Sequence, residues 1–269
     1  MSKKFIGSLL FFILLLNSVF AQDNGRKNFL NGKAKNDVKN VSNYTDNTLS
    51  PLELAQGFEL LFNGNNLEGW NLVGPPTSMK SAWEVKNGEL QILATDTSKN
   101  RVHGDLISFK EYSSFELNFD FKLSAGANSG VKYFVIIPNP TQRAGLGLEY
   151  QILDNERHPD AKLGLNGNRT LSSLYDIMPA TPLDTPFKKN IGQWNHGKIV
   201  VHSNQLVQHW LNGFKVLEYV KGDARYLKAI ANSKFAKNND FAKNKITPIL
   251  FQDHGDAVSY KNIKIRKIN

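Results

Sequence analysis

The chain has 269 residues, a formal net charge of +9 and no cysteine. Because there is no cysteine, a disulfide framework and a lipid-modified cysteine are excluded, and a hydrophobic core must hold the fold. The basic charge is scattered and accompanies no nucleic-acid-binding motif, so we predict no nucleic-acid partner.

The first 21 residues have the pattern of a secretory signal peptide. Lys3 and Lys4 give a basic start, residues 5–16 are apolar, and Ala21 closes a stretch suited to signal peptidase. The apolar run is short for a membrane span, and no basic stop signal follows it. We therefore predict a periplasmic or secreted bacterial protein that has no membrane anchor after the signal is cleaved.

Residues 22–50 are rich in Asn, Lys and Asp and poor in apolar residues. Such a segment cannot bury enough apolar surface to offset the entropy lost on ordering, so we predict a disordered polar linker. Residues 51–269 then form the single predicted domain.

Strand patterns dominate that domain. In residues 115–123 apolar and polar residues alternate with a period of two, which is typical of a half-buried strand. Residues 198–202 and 206–211 give two more strands, and Asn212-Gly213 predicts a hairpin turn into a strand over 214–220. The alternation returns over 257–268.

Three details qualify these strands. The apolar register changes at Asn262, which predicts a bulge. Trp83 and Trp210 lie in strand patterns, so both are predicted to be core residues. Helical patterns are confined to one turn over 51–56 and a short surface helix within 224–242.

Many short strands separated by turns favour an all-β fold. We predict a two-sheet jelly-roll sandwich of the concanavalin A-like type. One sheet of such a sandwich often leaves an open polar face, and carbohydrate commonly lies on that face.

Residues 146–153 place two polar side chains on one side of a strand. Leu148, Tyr150 and Ile152 share the apolar face, whereas Glu149 and Gln151 share the other and are expected on the exposed side of the sheet. A solvated outer face explains this spacing as simply as a working site does.

Residues 128–136 open a neighbouring strand. Asn128 and Lys132 point the same way, with Gly130 between them leaving room for a ligand to approach. On local grounds, a turn that enters a strand is the simpler interpretation.

A third polar group, Gln252, Asp253 and His254, follows an apolar run. If the strand continues, Gln252 and His254 share one face and Asp253 takes the opposite one. Histidine titrates near neutral pH, so it suits a general base or a metal ligand. The six histidines show no HExxH motif, so a divalent metal is left open and no other cofactor is predicted.

Seven groups of residues occur together in an order that resembles one family. They are GFELLFNGNNLEGW (57–70), WEVKNGEL (83–90), NSGVKYF (128–134), GLEYQILDNERHPDA (147–161), WNHGKIVV (194–201), HWLNGFKVLEY (209–219), and FQDHG with YKNIKIR (251–255, 260–266). The set resembles the domain once called DUF1080, now described as 3-keto-disaccharide hydrolase or 3-keto-glucoside 1,2-lyase/3-keto-2-hydroxy-glucal hydratase. Lys132 departs from the common pattern, in which an arginine occurs slightly later in that strand.

The resemblance implies a substrate already oxidised to a ketone at sugar carbon 3, with a sugar 3-oxidoreductase as functional partner. It implies cleavage by elimination across C1–C2 followed by hydration. It makes Glu149 and His254 the candidates for proton transfer, in either order. The predicted substrate-binding residues are Asn128, Lys132, Gln151, Asp154, Arg157, His158, Tyr175 and Asp253.

Two other functions remain open on the sequence. The same architecture occurs in non-catalytic, lectin-like carbohydrate-binding modules, because fold does not fix function. An ordinary glycoside hydrolase would use a pair of carboxylates such as Glu149 and Asp154. Glu156 and Asp160 are predicted to be surface residues.

Overall fold

A computed structural model describes residues 45–96, 98–182 and 187–268. The predicted signal peptide and residues 22–44 of the predicted linker lie outside the described residues. Residues 45–50 already belong to the fold, which therefore begins before residue 51. Asn47 is buried, and its backbone and side chain exchange hydrogen bonds of 2.6 and 2.9 Å with Asn262.

The described residues contain fifteen strands and two α-helices. The strands are β1 (Glu59–Leu60), β2 (Trp70–Leu72), β3 (Lys80–Ser81), β4 (Trp83–Lys86), β5 (Glu89–Ile92), β6 (Arg101–Val102), β7 (Leu106–Tyr112), β8 (Phe115–Leu123), β9 (Asn128–Ile136), β10 (Leu146–Leu153), β11 (Asn195–Val201), β12 (Leu206–Leu211), β13 (Phe214–Val220), β14 (Thr247–Phe251) and β15 (Val258–Lys267). The helices are α1 (Pro51–Ala55) and α2 (Ala224–Ala231), and a 3-10 turn covers Pro159–Lys162. None of the helices among the described residues is long and apolar enough to cross a membrane.

Two antiparallel sheets pack face to face. The larger has the strand order β13-β12-β11-β8-β15-β5-β4, with β1 on β15, and the smaller has the order β10-β9-β14-β7-β2. Aromatic rings fill the space between them: Phe119 of β8 lies edge-on to Tyr150 of β10 at 5.4 Å and to Phe251 of β14 at 6.2 Å. The predicted two-sheet all-β sandwich is confirmed.

The structure contains the hairpin turn, the bulge and the surface helix that the local sequence predicts. Asn212 and Gly213 have φ of 50° and 87°, the left-handed values that a tight hairpin between β12 and β13 needs. Asn262 also has a positive φ, and the pairing of β15 with β8 shifts register there, so the predicted bulge is confirmed. The predicted helix within 224–242 ends at Ala231, and Asp223 caps its start.

One core prediction is correct and one is wrong. Trp83 is buried, but Trp210 lies on the outer face of β12, where the Lys198 ammonium sits 4.3 Å from its ring centroid. The strand alternates in the opposite phase, so His209 takes the core position.

His209 fits the core because both ring nitrogens have partners. Its Nε2 lies 2.7 Å from the Tyr133 hydroxyl and its Nδ1 lies 2.9 Å from the Ser172 carbonyl. Burial lowers the pKa of His209 to about 4, so the ring is neutral. A neutral ring can donate from Nδ1 and accept at Nε2, which satisfies both contacts.

Candidate active site

The site is built on β9 and β10, which pair with Glu149 opposite Lys132 and Gln151 opposite Gly130. The predicted sharing of faces is therefore confirmed, but the predicted exposure of Glu149 and Gln151 is wrong. The exposed fractions of the two residues are 5% and 1%.

The segment after the 3-10 turn lies along the free edge of β10. The Tyr175 amide donates to the Glu149 carbonyl at 3.0 Å, and Ser172 and Ser173 bond to the Gln151 backbone. The segment thus acts as an extra row of sheet and brings Tyr175, a predicted substrate-binding residue, next to Glu149.

The Glu149 carboxyl group has an unusual setting for an acid. Its Oε2 lies 3.9 Å from the Lys132 ammonium, and burial raises its pKa to about 7. The charges of Lys132 and Lys234 lower that pKa, whereas Asp105 and Asp160 raise it. A carboxyl group poised near neutral pH can both give and take a proton.

Lys132 lies beneath this carboxylate and faces protein acceptors. Its ammonium donates to the Gly145 carbonyl at 3.0 Å, lies 3.5 Å from Asp105 Oδ2, and reaches the Gln252 amide oxygen at 3.0 Å. Those three partners use its three hydrogens. Lys132 therefore acts on the site through its positive charge, which opposes the effect of burial and lowers the pKa of Glu149. Its contact with Asp105 was not predicted.

Gln252, which follows β14, lies between Lys132 of β9, Glu149 of β10 and the His254 ring. With its amide oxygen toward Lys132, its amide nitrogen lies 3.2 Å from Glu149 Oε1, and its amide lies 3.0–3.2 Å from His254 Nε2. The sequence placed Gln252 and His254 on one face but gave Gln252 no role. The contacts make it the bridge between Glu149 and His254.

His254 is exposed to solvent at the edge of this group. The protein around the ring disfavours its charged form and lowers its pKa, and the Lys132 charge acts in the same direction. The ring is therefore neutral at neutral pH, and a neutral ring can accept a proton.

Asp253 follows the end of β14 and points away from the group, as the continued alternation of the strand predicts. Its carboxylate is fully buried and accepts hydrogen bonds from the Gly104 and Gly255 amides. His103 Nδ1 lies 3.0 Å from the same carboxylate. Asp253 was predicted to bind substrate, but the structure places it where it holds the turn after β14.

Asp154 closes the turn at the end of β10. Burial would raise its pKa, but hydrogen bonds from the Gly126 and Glu156 amides and from Arg157 outweigh burial and lower it. The Arg157 side chain is half exposed. A cavity of about 290 Å³ opens beyond this turn, between residues 154–157 and 188–191, and Glu149 does not line it.

The remaining predicted residues lie around the group. His158 Nδ1 accepts from the Asp160 amide at 3.2 Å and so caps the 3-10 turn. Asn128 is buried at the start of β9, and its Oδ1 has no hydrogen-bond partner among the described residues. Glu156 is on the surface as predicted and pairs with Lys188.

The prediction that Asp160 is a surface residue is wrong. Its Oδ1 lies 2.7 Å from Arg169 Nη1, and although burial raises its pKa, the neighbouring Tyr175 and Arg169 side chains hold that pKa below the usual value. Arg169 Nε reaches Asp176 Oδ1 at 2.6 Å. The residues of this charged group lie in turns that follow β10 rather than in an alternating strand, so no periodic pattern signalled it.

Among residues 45–96, 98–182 and 187–268, no cluster of three or more His, Asp or Glu side chains is arranged to hold a metal ion.

Gly130 provides a first test of the site. A Cβ at this position would lie 2.5 Å from Glu149 Oε1, so the predicted space for a ligand is in fact occupied by the carboxyl group. We expect Gly130→Ala to push Glu149 aside, to lower the free energy of unfolding by about 1–3 kcal/mol and to reduce turnover at least tenfold.

Chemical denaturation and initial rates measure both effects of Gly130→Ala. In the Glu149→Ala background the clash is absent, so the same glycine substitution should cost much less stability. Equal costs in the two backgrounds would show that Gly130 does not accommodate the carboxyl group.

A family model for 3-keto-alpha-glucoside-1,2-lyase-like domains matches residues 57–266. The chain belongs to this family. A relative from Bacteroides thetaiotaomicron, a 3-keto-disaccharide hydrolase, is 32% identical over 236 residues, which cover 80% of each chain. The predicted enzymatic cleavage of a glycosidic bond is confirmed by this membership.

Solved structures agree with the fold. A candidate glycosyl hydrolase from Parabacteroides distasonis superposes with a TM-score of 0.72 at 28% identity, covering 84% of this chain and 100% of the other. A second candidate glycosyl hydrolase from the same organism has a TM-score of 0.58 at 24% identity, covering 78% and 99% of the two chains, and supports the fold alone.

Proposed function

We propose that the protein hydrolyses 3-keto-disaccharides, or other 3-keto-glucosides, by elimination across C1–C2 followed by hydration. One observation supports this most directly. Gln252 bridges a buried carboxyl group with a pKa of about 7 and an exposed, neutral histidine, which are Glu149 and His254. An elimination needs such a pair, with one group to take a proton and the other to give one.

The ketone makes this route available. It acidifies the hydrogen on C2, and the glycosidic oxygen on C1 lies β to it. When the C2–H bond breaks, its electron pair forms an enolate with the C3 oxygen. The enolate then returns its electrons, the C1–C2 double bond forms, and the C1–O bond breaks with its electron pair on the leaving oxygen.

We assign the proton transfers from exposure and charge. His254 is neutral and exposed, so it takes the C2 proton. Glu149 holds a proton for part of the time at neutral pH, so it protonates the leaving oxygen. Gln252 contacts both side chains and so holds them at a fixed separation. The Lys132 charge keeps the Glu149 pKa from rising further.

Hydration returns both groups to their starting states. After elimination Glu149 is a carboxylate and His254 is protonated. Glu149 then takes a proton from the water that adds to C1, and His254 gives its proton back to C2. The products are the alcohol and a 3-keto sugar, so the net reaction consumes one water.

The ordinary glycoside hydrolase fits the geometry poorly. Residues 149 and 154 are five positions apart, mostly along an extended strand, which puts about 16 Å between their Cα atoms. Carboxyl pairs in glycoside hydrolases lie no more than about 9.5 Å apart. Asp154 is also occupied at the turn by Gly126 and Arg157.

A lectin-like module has no use for the buried acid. Burying a carboxyl group with a raised pKa lowers stability at neutral pH, and a binding surface could use an amide instead. Retaining such a group is typical of a site that moves protons.

One assay separates the three functions. The purified protein is incubated with a glucoside and with the 3-keto form of the same glucoside, and released alcohol is measured. We expect release from the keto form alone. Release from the plain glucoside would favour an ordinary hydrolase, and binding without release would favour a lectin-like module.

We also propose that the protein is exported and works after a sugar 3-oxidoreductase. Residues 1–21 support export, because they have the pattern of a signal peptide. The substrate chemistry supports the partner, because a ketone at C3 must be made by oxidation. N-terminal sequencing of the mature protein from a periplasmic fraction tests the first point, and a start at Met1 would contradict it.

A further inference from the structure

The enolate intermediate carries a negative charge on the C3 oxygen, so its formation calls for a positive group at that oxygen. Lys132 is the cation among the predicted substrate-binding residues, but its three hydrogens already face Gly145, Asp105 and Gln252. Binding the enolate through Lys132 would break one of these buried contacts. Another cation close to Glu149 would avoid that loss.

Lys234 meets this requirement. It lies in the segment that follows α2, and its ammonium sits 4.1 Å from the ring centroid of Tyr175. The charges of Lys234 and Glu149 influence each other, although the two groups are more than 4.0 Å apart. The geometry links them through Tyr175, whose ring lies under the Lys234 ammonium and whose backbone amide donates to the Glu149 carbonyl at 3.0 Å.

The Lys234 ammonium has no acceptor of its own in the part of the chain that the structure describes. Lys234 is an exposed residue, although the protein around it partly desolvates its ammonium and lowers its pKa. The ammonium makes no hydrogen bond, and no carboxylate there lies within 4.0 Å of it. Tyr175 and Phe235 offer only ring faces to it, the second at 5.2 Å. A partly desolvated ammonium without an acceptor binds an incoming anionic oxygen strongly.

The surrounding charged group fixes where Lys234 stands. Asp176 accepts the Lys234 backbone amide at 2.7 Å through one oxygen and Arg169 at 2.6 Å through the other. Arg169 also pairs with Asp160, and burial together with the Asp160 carboxylate raises the pKa of Tyr175. Asp176 has a φ of 62°, a left-handed conformation that aspartate adopts more readily than most residues, and its two oxygens face Lys234 and Arg169 from this turn.

We propose that Lys234 binds the C3 oxygen of the substrate and stabilises the negative charge that this oxygen gains in the enolate. The inference rests on the proposed elimination. In that step the C2–H electron pair becomes the C2–C3 double bond, the ketone π pair moves to oxygen, and Lys234 donates a hydrogen bond to that oxygen. Lys234 keeps its proton throughout, and the proton from C2 goes to His254.

The test uses a compound that can form the enolate but has no glycosidic oxygen to expel, the 3-keto form of 1,5-anhydroglucitol. In deuterated water the wild-type protein should exchange the C2 hydrogen, which proton NMR measures directly. We expect Lys234→Met to reduce this exchange at least 100-fold and to reduce cleavage of a 3-keto-glucoside by a similar factor. Lys234→Arg should recover part of both rates, because it keeps the charge.

Lys221 provides the matched control. Its ammonium also lies over an aromatic ring, 4.3 Å from the Phe134 centroid, and burial lowers its pKa as burial lowers that of Lys234. Lys221→Met therefore removes the same kind of lysine from a place where it does not face Glu149. It should leave both rates within about threefold of the wild type.

The outcomes are separable. If Lys234→Met exchanges and cleaves at wild-type rates, the role of Lys234 is overturned while the proposed function stands. If it exchanges normally but cleaves slowly, Lys234 acts at the leaving oxygen and the enolate role is overturned. If the wild-type protein neither exchanges the C2 hydrogen nor cleaves the keto substrate, the proposed function fails and this role fails with it.

Discussion

Glu149→Gln should abolish most cleavage of a 3-keto-glucoside and at the same time stabilise the protein above neutral pH. The glutamine fits the same space but cannot give a proton to the leaving oxygen. Loss of a general acid typically slows a reaction by about 10²–10⁴-fold. We expect that range in kcat, measured as the release of alcohol from the keto substrate.

The stability effect follows from the sign of the pKa change. The pKa of Glu149 is about 7 in the folded chain and 4.5 when unperturbed. Below pH 4.5 both states hold the proton and the carboxyl group costs nothing. Between pH 4.5 and 7 the unfolded state loses its proton first, so the free energy of unfolding falls as pH rises.

The full cost of about 3 kcal/mol is reached above pH 7. Glu149→Gln removes it, so the variant should be the more stable protein at pH 8 and equal to the wild type at pH 4. Urea unfolding at the two pH values measures the difference.

Glu89 supplies the control for this variant. Burial raises its pKa, but hydrogen bonds from Gln91 and Lys122 outweigh burial and lower it. Glu89→Gln should therefore not stabilise the protein at pH 8, and it should leave cleavage unchanged because Glu89 is on the other sheet. A Glu149→Gln variant that is active, or that is less stable at pH 8, would show that Glu149 is a structural residue.

The alternation of polar and apolar residues predicted much of the site. A strand has a period of two, so sequence alone put Glu149 and Gln151 on one face and Tyr150 in the core. Pairing in register then brought Lys132 opposite Glu149. Sequence did not predict the burial of this face, because burial depends on segments that reach it from elsewhere in the chain.

Other errors have the same origin. An alternating strand can be read in either phase, and a histidine with two buried partners overrode the larger apolar Trp210 in β12. The ionisable residues 154–160, which follow β10, have different roles because they contact different partners, not because they differ in charge. Asp154 holds a turn, whereas Asp160 joins Arg169 and Tyr175 near Glu149.

His254→Gln should slow C2 exchange in the 3-keto form of 1,5-anhydroglucitol by about 10²–10⁴-fold, because glutamine cannot accept the proton. Glu149→Gln should leave this exchange within about tenfold of the wild type while losing cleavage, since the compound has no glycosidic oxygen and exchange needs only removal and return of the C2 proton. His202→Gln, a histidine at the end of β11, is the matched control and should change neither rate.

The pH profiles of C2 exchange and of cleavage should also distinguish the two residues. Exchange in the wild type should rise with pH as His254 loses its proton, at a pKa below 6.5, and then stay level. Cleavage should rise over the same range but fall again as Glu149 loses its proton at a pKa of about 7. If Glu149→Gln loses exchange and His254→Gln keeps it, the two residues have the opposite roles. Exchange needs the base but not the acid, whereas cleavage needs both. The two pH profiles therefore show which residue takes the C2 proton and which protonates the leaving oxygen.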